Sequence, residues 1–393
     1  TSTAPSLDGS GPPLEWCDRV LLARIHRRTR DKLRRELEAV SAADFIRFLL
    51  SWQHVRPGTQ LHGPNGLRTV IAQLQGFEAA AGAWEREIFP ARLGEYDPQW
   101  LDDLCYGGAV AWGRFDSRPE GTSTPSRAAL ISLCERKNLP WLLTQRTDLN
   151  DADLSGKARD VLDFLRKAGA SFVEDVVAGV RRLRVEIEEG LWELVAAGRI
   201  TCDGFAGLRA LLPSTPRRGG ARLRWYARWS KRGGSARGAA GRWALLTAHA
   251  APDDEDRIEQ VARQLLRRYG VVFRDLLARE THLPPWRELL RFFRRLEMRG
   301  EIRGGRLVAG FIGEQFALPE AVESLRAIRR QEKPGEVIGI SACDPLNLVG
   351  VLTPGPRAPA MLSNNVSFED GVPVPNEWKP PHSGPAETSA SLN

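Results

Sequence analysis

Two glutamines one residue apart are the residues in this sequence whose type and spacing first suggest chemistry. Gln73 and Gln75 lie in "IAQLQGF", at the start of a long apolar stretch. Neutral amides do not titrate, so the pair cannot work as an acid and a base. Each amide offers a carbonyl acceptor and an NH2 donor. Two amides on one side of an extended segment can therefore hold and orient one water molecule.

This interpretation sets a condition on the backbone. In an α-helix, a spacing of two residues turns the side chains apart by about 200°. We therefore predict a non-helical backbone at residues 73–75, with both amides facing each other across one solvent-filled cleft. The structural alternative is that the two glutamines cap the following helix or lie on its surface.

Composition limits the classes of protein to consider. The 393 residues carry a formal charge of +7, and no apolar run approaches the roughly 20 residues that cross a bilayer. The five cysteines lie far apart without a CxxC pair, which predicts buried thiols in a reducing cytoplasm and neither a metal site nor a disulfide framework. A Walker A phosphate loop is missing, so we expect no ATPase motor and no cofactor.

The basic residues are concentrated in one segment. Residues 217–242 contain nine Lys or Arg and no acid, with Trp225, Tyr226 and Trp229 among them. Arginines for phosphates and flat rings for bases are typical of nucleic-acid binding, and a solvated flexible loop is the alternative. The predicted DNA-binding residues are Arg217, Arg218, Arg222, Arg224, Trp225, Arg228, Trp229, Lys231 and Arg232.

Helix and turn signals divide the chain into units. We predict a linker at 1–20, a helical or winged-helix unit at 21–116, a second winged-helix unit at 128–250 and a third at 254–318. A β-rich module at 319–378 and a disordered tail at 379–393 follow. The last helix of the second unit and that of the third each end at a glycine and run into a strand, which is an internal repeat. In the third unit we expect "RGEIRGG" to turn between two strands.

The predicted fold class is therefore mainly α with β, with tandem winged-helix units followed by a small β-barrel-like module. Residues 182–197 and 284–299 are the expected third helices of the second and third units. Trp84 and Trp100, at helical positions among apolar residues, are expected in the core.

Several long phrases resemble one protein family. They are the stretch from "RIHRRTRDKLRRELEAV" to "EREIFPARL", then "PPWRELLRFFRRLEMRGEIRGG" and "SACDPLNLVGVLTPG". Over about residues 20–375 the sequence resembles the C-terminal region of Lhr, the large helicase-related proteins of bacteria. In that family a helicase core precedes this region. The resemblance implies that this chain is a piece of a longer protein, with the helicase core and DNA as partners.

A more distant resemblance concerns the glutamines. "QLQGF", "EYDPQWLDDL" and "SACDPLNL" are similar to phrases of the AlkZ/YcaQ-type DNA glycosylases, which combine tandem winged helices with a β-barrel. The resemblance places Gln73 and Gln75 on the glycosylase motif and Asp344 at an acidic position of the barrel strand. Asp344, which precedes Pro345, has a turn as its alternative role. The residues around "QLQ" are less polar here than in the glycosylases.

The resemblance implies a DNA-repair module that binds single-stranded or damaged duplex DNA and excises a damaged or deaminated base, with Gln73, Gln75 and Asp344 as catalytic residues. A neutral pair suffices for a cationic leaving base, whereas uracil leaves less readily and would need a carboxylate such as Asp344. The alternative is a non-catalytic module that holds DNA for the helicase core or mediates self-association. A concave basic cleft at the glutamines favours the enzyme, and a convex basic face favours the binding module.

Overall fold

A computed structural model describes residues 2–4, 14–16, 18–35, 38–115, 127–143, 151–212, 241–247, 252–281, 283–333 and 335–374. Apart from its last two residues, the predicted DNA-binding segment 217–242 lies outside these ranges, as does the tail 379–393. No helix in the described ranges is both long and apolar enough to pass through a membrane.

The N-terminal part contains helices around a small antiparallel sheet of order β3-β5-β4. Its elements are β1 (Ser2–Ala4), β2 (Leu14–Trp16), α1 (Arg19–Arg35), α2 (Ala42–Trp52), α3 (Gly63–Leu74), β3 (Ala79–Ala80), α4 (Ala81–Ala83), a π-helical turn (Trp84–Ile88), α5 (Phe89–Arg92), α6 (Pro98–Tyr106), β4 (Val110–Gly113), β5 (Leu130–Glu135), a 3-10 turn (Arg136–Asn138) and α7 (Leu139–Leu143).

The middle part begins with a 3-10 turn (Asp151–Asp153) and packs helices against a two-stranded sheet. Its other elements are α8 (Gly156–Ala168), α9 (Val173–Val180), α10 (Arg184–Ala196), β6 (Ile200–Cys202), α11 (Phe205–Leu211) and β7 (Trp243–Leu245). Helix α10 lies where the sequence predicts a third helix. It runs through Gly198, which has a φ of +66°, into β6, as expected.

The C-terminal part holds two three-stranded antiparallel sheets, of order β8-β10-β9 and β11-β12-β13. Its elements are α12 (Asp254–Tyr269), β8 (Val271–Val272), a 3-10 turn (Leu276–Arg279), α13 (Trp286–Met298), β9 (Arg303–Gly305), β10 (Gln315–Ala317), α14 (Pro319–Arg330), β11 (Val337–Ser341), β12 (Asn365–Glu369) and β13 (Val372–Val374). The predicted β-rich module at 319–378 begins with the helix α14, and its strands β11, β12 and β13 follow only from Val337.

Side-chain caps fix several helix starts. Ser41 has an extended backbone, and its hydroxyl accepts a hydrogen bond from the Asp44 N–H at the start of α2. Ser155 caps α8 and Asp253 caps α12 in the same way. These hydroxyl and carboxylate oxygens satisfy N–H groups that the first helical turn leaves without a partner.

The third unit differs from its prediction in two places. Its middle helix is only the 3-10 turn Leu276–Arg279, although α13 occupies the place of the predicted third helix. The expected turn at "RGEIRGG" is wrong, because this phrase ends α13 at Gly300 and then forms β9, which pairs with β10. The connection between the paired strands lies at residues 306–314.

Strand β5 joins the first sheet across a predicted boundary. It begins at Leu130, beyond the predicted end of the first unit at residue 116, and pairs with β4 and β3. Long-range pairing places it there, and the connecting sequence carries no signal for it.

The hydrophobic interior forms two large clusters, and neighbouring helices of the N-terminal part belong to different ones. Helix α2 buries Phe45 and Phe48 in a cluster with α12, α13, α14 and the last sheet. Helix α3 buries Leu67 and Val70 in a cluster with α6, α8, α10 and α11. The C-terminal end of α3, with the two glutamines, therefore lies where these clusters meet.

A buried ion pair fastens the last module to the N-terminal part. Arg92, at the end of α5, donates to both carboxylate oxygens of Asp344 at 2.6 and 2.9 Å, and neither side chain is more than 1% exposed. The same guanidinium donates to Gln53 Oε1 at 2.8 Å, and Gln53 Nε2 donates to the Arg268 carbonyl. Asp344 thereby links three separate segments.

We expect Asp344→Ala to lower the free energy of unfolding by about 3–5 kcal/mol, because it leaves the Arg92 charge buried without a partner. Urea denaturation followed by circular dichroism measures the change. The matched control is Asp254→Ala, since Asp254 pairs with Arg257 at 3.7 Å but is 89% exposed. That variant should lose no more than about 1 kcal/mol. Equal losses in the two variants would contradict a structural role for Asp344.

Candidate active site at the glutamine pair

The structure places the two glutamines at the end of a helix, where we predicted a non-helical segment. Helix α3 includes Gln73 and Leu74, so the prediction is wrong for these two residues. Gln75 leaves the helix with φ −52° and ψ 137°, and Gly76 follows with φ +82°. The apolar face of α3 carries the helix to Leu74, and Gly76 permits the turn that ends it.

This geometry sends the two amides to different places. Gln73 lines a cleft of about 660 Å³, which we call the α2–α3 cleft. Residues of α2, α3 and α14 form most of its wall, together with His54, Glu135 and Arg267. Gln75 lines a second cleft of about 110 Å³ beside α12. The predicted single cleft between facing amides is therefore wrong.

Every polar atom of the Gln75 side chain is engaged in a buried network. Its Nε2 donates to Gln264 Oε1 at 2.8 Å, and its Oε1 accepts from Asn138 Nδ2 at 2.9 Å and from the Glu135 N–H at 3.3 Å. Gln264 in turn donates to the Gln73 carbonyl at 2.8 Å. Gln75 thus joins α3, β5 and α12, and both polar atoms of its amide have protein partners.

Gln73 is engaged on one side only. Its Nε2 donates to the Trp52 carbonyl at 2.9 Å, whereas no described residue donates to its Oε1. The residue is only 8% exposed and this carbonyl oxygen is buried, although Gln73 is among the residues that line the α2–α3 cleft. Because buried polar groups in proteins are almost always hydrogen-bonded, such an acceptor indicates a place for a donor that the protein does not supply.

A buried cation supports the backbone that follows. The Arg268 guanidinium donates to the Gln75 carbonyl at 2.6 Å and forms an ion pair with Glu280, which also accepts from the Tyr269 hydroxyl. Burial by itself would lower the pKa of Arg268, but the neighbouring Glu280 carboxylate raises it. Burial also raises the pKa of Tyr269. This cluster holds the end of α3 in place and exposes no titratable group for chemistry.

His54 lines the α2–α3 cleft with a strained backbone conformation. Its backbone lies in the left-handed region with φ +61°, which is costly for a residue other than glycine, and its Nδ1 lies 3.0 Å from the Thr59 carbonyl oxygen. Burial lowers the pKa of His54, so the ring is neutral at pH 7. Strained residues of this kind are frequent at ligand sites.

The other predicted site residues do not join the glutamines. Asp344 is held by Arg92 and is not among the residues that line either cleft. Its catalytic role stays a prediction. The nine predicted DNA-binding residues all lie outside the described residues. Trp84 is buried, as expected, and its indole donates to the Ile131 carbonyl, while Trp100 packs against the same cluster half-buried.

Sequence reasoning missed most of the α2–α3 cleft. Thr69 lies four residues before Gln73 on α3, and this spacing could have indicated that both face the cleft, whereas the spacing of five between Arg68 and Gln73 could not. Glu135 and Arg267 reach the cleft from distant segments, and no local pattern points to them. Among the described residues, no group of His, Cys, Asp and Glu could hold a metal ion. The four described cysteines are buried free thiols.

The helices, short sheets and strand pairings define a protein built on tandem winged-helix units. Residues 40–135 and residues 251–337 match two models with the description "Large helicase-related protein, winged-helix domain", the third and fourth such domains of Lhr. These two segments are winged-helix domains of the large helicase-related proteins, which confirms the resemblance seen in the sequence.

Two curated relatives extend the similarity over most of the chain. A protein of Mycolicibacterium smegmatis named "Lhr helicase/ probable uracil glycosylase" is 32% identical over 353 residues, covering 86% of this chain and 23% of the relative. The Escherichia coli "Lhr helicase/uracil glycosylase" is 29% identical over 385 residues, with 88% and 24% covered. The chain therefore spans about a quarter of the length of these relatives.

Among solved structures, the Streptomyces sahachiroi DNA glycosylase AlkZ is similar with a TM-score of 0.47 and 14% identity, over 86% of this chain and 87% of that one.

The unequal hydrogen bonding of the two glutamines predicts unequal effects on stability. Gln75→Leu removes the partner of Asn138, Gln264 and the Glu135 N–H, and we expect it to lower the free energy of unfolding by about 1–3 kcal/mol. Gln73→Leu removes one hydrogen bond and should cost about 1 kcal/mol or less. Urea denaturation of both variants measures the difference. An equal cost would show that Gln75 does not fasten the surrounding segments.

Proposed function

We propose that this chain binds DNA and removes a base by hydrolysing the N-glycosidic bond, with Gln73 orienting the attacking water in the α2–α3 cleft. The observation that carries the proposal is the nearly buried Gln73 Oε1, to which no described residue donates. A carbonyl oxygen without a protein donor accepts a hydrogen bond from a water molecule and thereby fixes the direction of the water's lone pair.

In this reaction the amide only has to hold the attacking water in position. The water oxygen forms a bond to C1′ of the sugar while the C1′–N bond breaks, and its electron pair stays on the base nitrogen. Holding the water in line with C1′ lowers the entropic part of the barrier. Gln73 accepts a hydrogen bond from this water, and the network around Gln75 keeps Gln73 at a fixed place. An amide cannot take the proton that the water loses, so another group must do so.

The wall of the cleft suits an extruded nucleotide. Arg68 and Arg267 supply positive charge, and the half-buried ring of Trp52 supplies a flat surface. An enzyme that acts on a base must take it out of the stack and receive it in a concave pocket. Cations for the phosphates and an aromatic face for the base are the groups that such a pocket needs.

A basic helix face elsewhere suits the phosphates of the duplex. Arg287 and Arg291 are exposed four residues apart on α13, the third helix of the matched C-terminal winged-helix domain. In winged-helix and related units this helix approaches the DNA groove. With the predicted basic segment 217–242, this face supports DNA binding.

The names of the relatives indicate which base to test first. Both curated relatives are named as uracil glycosylases, one of them with the qualifier "probable". A deaminated base is also the class that the sequence resemblance implies. Uracil in DNA is therefore the first substrate to test with this chain.

The alternative is a non-catalytic module that holds DNA for a helicase core or mediates self-association. The saturated amide of Gln75 and the ion-paired Asp344 favour it, because two of the three predicted catalytic residues are engaged in structural contacts. Release of a base from DNA by the purified chain distinguishes the two functions.

The purified chain should generate abasic sites in an oligonucleotide that contains uracil, and alkylated purine and oxidised guanine serve as comparison lesions. Alkaline cleavage at abasic sites, resolved by gel electrophoresis, measures the product. An undamaged oligonucleotide of the same sequence is the control. If no lesion is processed while DNA still binds, the non-catalytic alternative is correct.

Gln73→Ala should lower the single-turnover rate on the order of 10²-fold or more, because it removes the group that positions the water. DNA affinity should change little, since the amide carries no charge for phosphates. Gln75→Ala should lower the rate as well, through loss of position, and Asp344→Asn is the comparison. If Asp344→Asn abolishes activity in a folded protein while both glutamine variants stay active, the chemistry belongs to the acid.

Replacing three arginines of the predicted basic segment, Arg222, Arg224 and Arg228, with Ala should weaken DNA binding and flatten its salt dependence. Each lost phosphate contact reduces the slope of log K against log salt by about 0.9. Fluorescence anisotropy at several salt concentrations measures both quantities.

The matched control removes three ion-paired cations of α8 and α12, namely Lys157, Arg166 and Arg263. None of them lies on a third helix or in the basic segment, so their loss should leave the slope unchanged. If the two triple variants have the same affinity at low salt, residues 217–242 do not contact DNA.

A further inference from the structure

A carboxylate lies in the same cleft as the free carbonyl oxygen of Gln73. Glu135 is the last residue of β5, its side chain is 9% exposed, and it lines the α2–α3 cleft together with Gln73. Among the described residues that line this cleft, Glu135 alone has a carboxyl group. It is therefore the one lining residue there that is an anion at neutral pH, and the neutral ring of His54 is the other proton acceptor.

The backbone of Glu135 is tied to the glutamine segment. Its N–H donates to Gln75 Oε1 at 3.3 Å, and β5 is held in its sheet by β4. The position of the carboxylate thus depends on the same network that holds the end of α3. A group on a paired strand end is held more firmly than one on a free loop.

Two surface cations keep the carboxylate charged. Arg68 donates to Glu135 Oε1 at 3.0 Å, and Lys137 lies 3.1 Å from Oε2. Burial raises the pKa of Glu135, but the hydrogen bonds and charges of Lys137 and Arg68 outweigh it, so its pKa lies below the ordinary value. The carboxylate is therefore ionised at neutral pH and can accept a proton but cannot donate one.

We infer that Glu135 is the general base that takes the proton from the water held by Gln73, an inference that rests on the proposed function. As the water oxygen bonds to C1′ and the C1′–N bond breaks, one water proton passes to the Glu135 carboxylate. The electron pair of the broken bond stays on the base nitrogen, which takes a proton from solvent. Glu135 then returns its proton to solvent, so the reaction consumes one water and leaves the protein unchanged.

The exposure of the two cations fits this role. Arg68 is 51% and Lys137 70% exposed, so both guanidinium and ammonium groups are within reach of the phosphates of bound DNA. A phosphate that draws either cation away raises the pKa of Glu135 towards the range in which a general base works best. DNA binding and the basicity of Glu135 are thereby coupled.

Glu280 and Asp344, two other buried carboxylates of this region, are committed to structural contacts. Glu280 lines the cleft beside Gln75 and is paired with Arg268 and Tyr269. Asp344 is paired with Arg92. Both are at most 4% exposed, and neither lines the α2–α3 cleft.

Glu135→Gln tests the inference, because the amide keeps the shape of the side chain and cannot accept the proton. The single-turnover rate of uracil release should fall about 10²- to 10⁴-fold, with DNA affinity nearly unchanged. Glu336→Gln is the matched control, since Glu336 forms a similar ion pair with Arg56 at 3.1 Å outside the cleft. That variant should retain the wild-type rate. A rate for Glu135→Gln equal to that of Glu336→Gln would overturn the inference.

The pH profile separates a general base from a structural carboxylate. The wild-type rate should fall as the pH is lowered and Glu135 is protonated, and Glu135→Gln should lack this limb. The other charged or titratable groups that line the cleft are Arg68, Arg267 and His54, and Lys137 pairs with Glu135 from outside it; all are present in both proteins. If both profiles keep the same acid limb, a different group titrates and the inference is wrong.

A folding defect is controlled with Glu135→Asp, which keeps the charge and shortens the side chain. Thermal unfolding is measured for both variants. If Glu135→Gln is unfolded at the assay temperature, a folded Glu135→Asp should still lose on the order of 10²-fold in rate, because the carboxylate is displaced by about 1 Å. Wild-type activity in Glu135→Asp would overturn the inference. Absence of base release by the wild-type chain refutes the proposed function itself, whereas wild-type release that survives Glu135→Gln refutes only the role of Glu135.

Discussion

The structure depends on the satisfaction of polar groups that are buried where two hydrophobic clusters meet. The end of α3 brings the Gln73, Leu74 and Gln75 carbonyls and two side-chain amides out of water, and an unpaired group there would cost free energy. Helix α12 supplies the partners through Gln264 and Arg268. The winged-helix domain that begins near residue 251 therefore completes the one that ends near residue 135, and the two cannot be understood as independent units.

The same constraint gives the two glutamines different roles. The Gln75 side chain already bonds to three buried groups, so its role is to hold the surrounding segments in place. The Gln73 amide N–H donates to the Trp52 carbonyl, whereas no described residue donates to the Gln73 carbonyl oxygen. The pair is thus asymmetric, although the sequence presents it as a symmetric motif. In the proposed mechanism the amide orients water and a carboxylate from β5 receives the proton, which gives each group a task that its chemistry allows.

Electrostatics separates the structural charges from those at the surface. Arg92 with Asp344 and Arg268 with Glu280 are nearly inaccessible pairs, and the first joins residues that are 252 positions apart. Arg68 and Lys137 are exposed partners of a single carboxylate. Buried pairs of the first kind are costly to break, whereas exposed partners exchange easily for phosphate oxygens. The buried ion pairs therefore hold the fold together, and the exposed ion pairs can open without disturbing it.

Local sequence signals determined the helices and their caps: Ser41, Ser155 and Asp253 begin helices, and glycines after α10 and α12 end them, because capping and left-handed turns act over a few residues. Long collinear phrases also determined the family. The tertiary structure alone decided that "QLQ" ends a helix, since burial of the apolar face of α3 outweighs any local preference. It also decided that Glu135 lines the same cleft as Gln73 and that Asp344 pairs with Arg92, because strand pairing and packing bring together residues that are 62 and 252 positions apart in the chain.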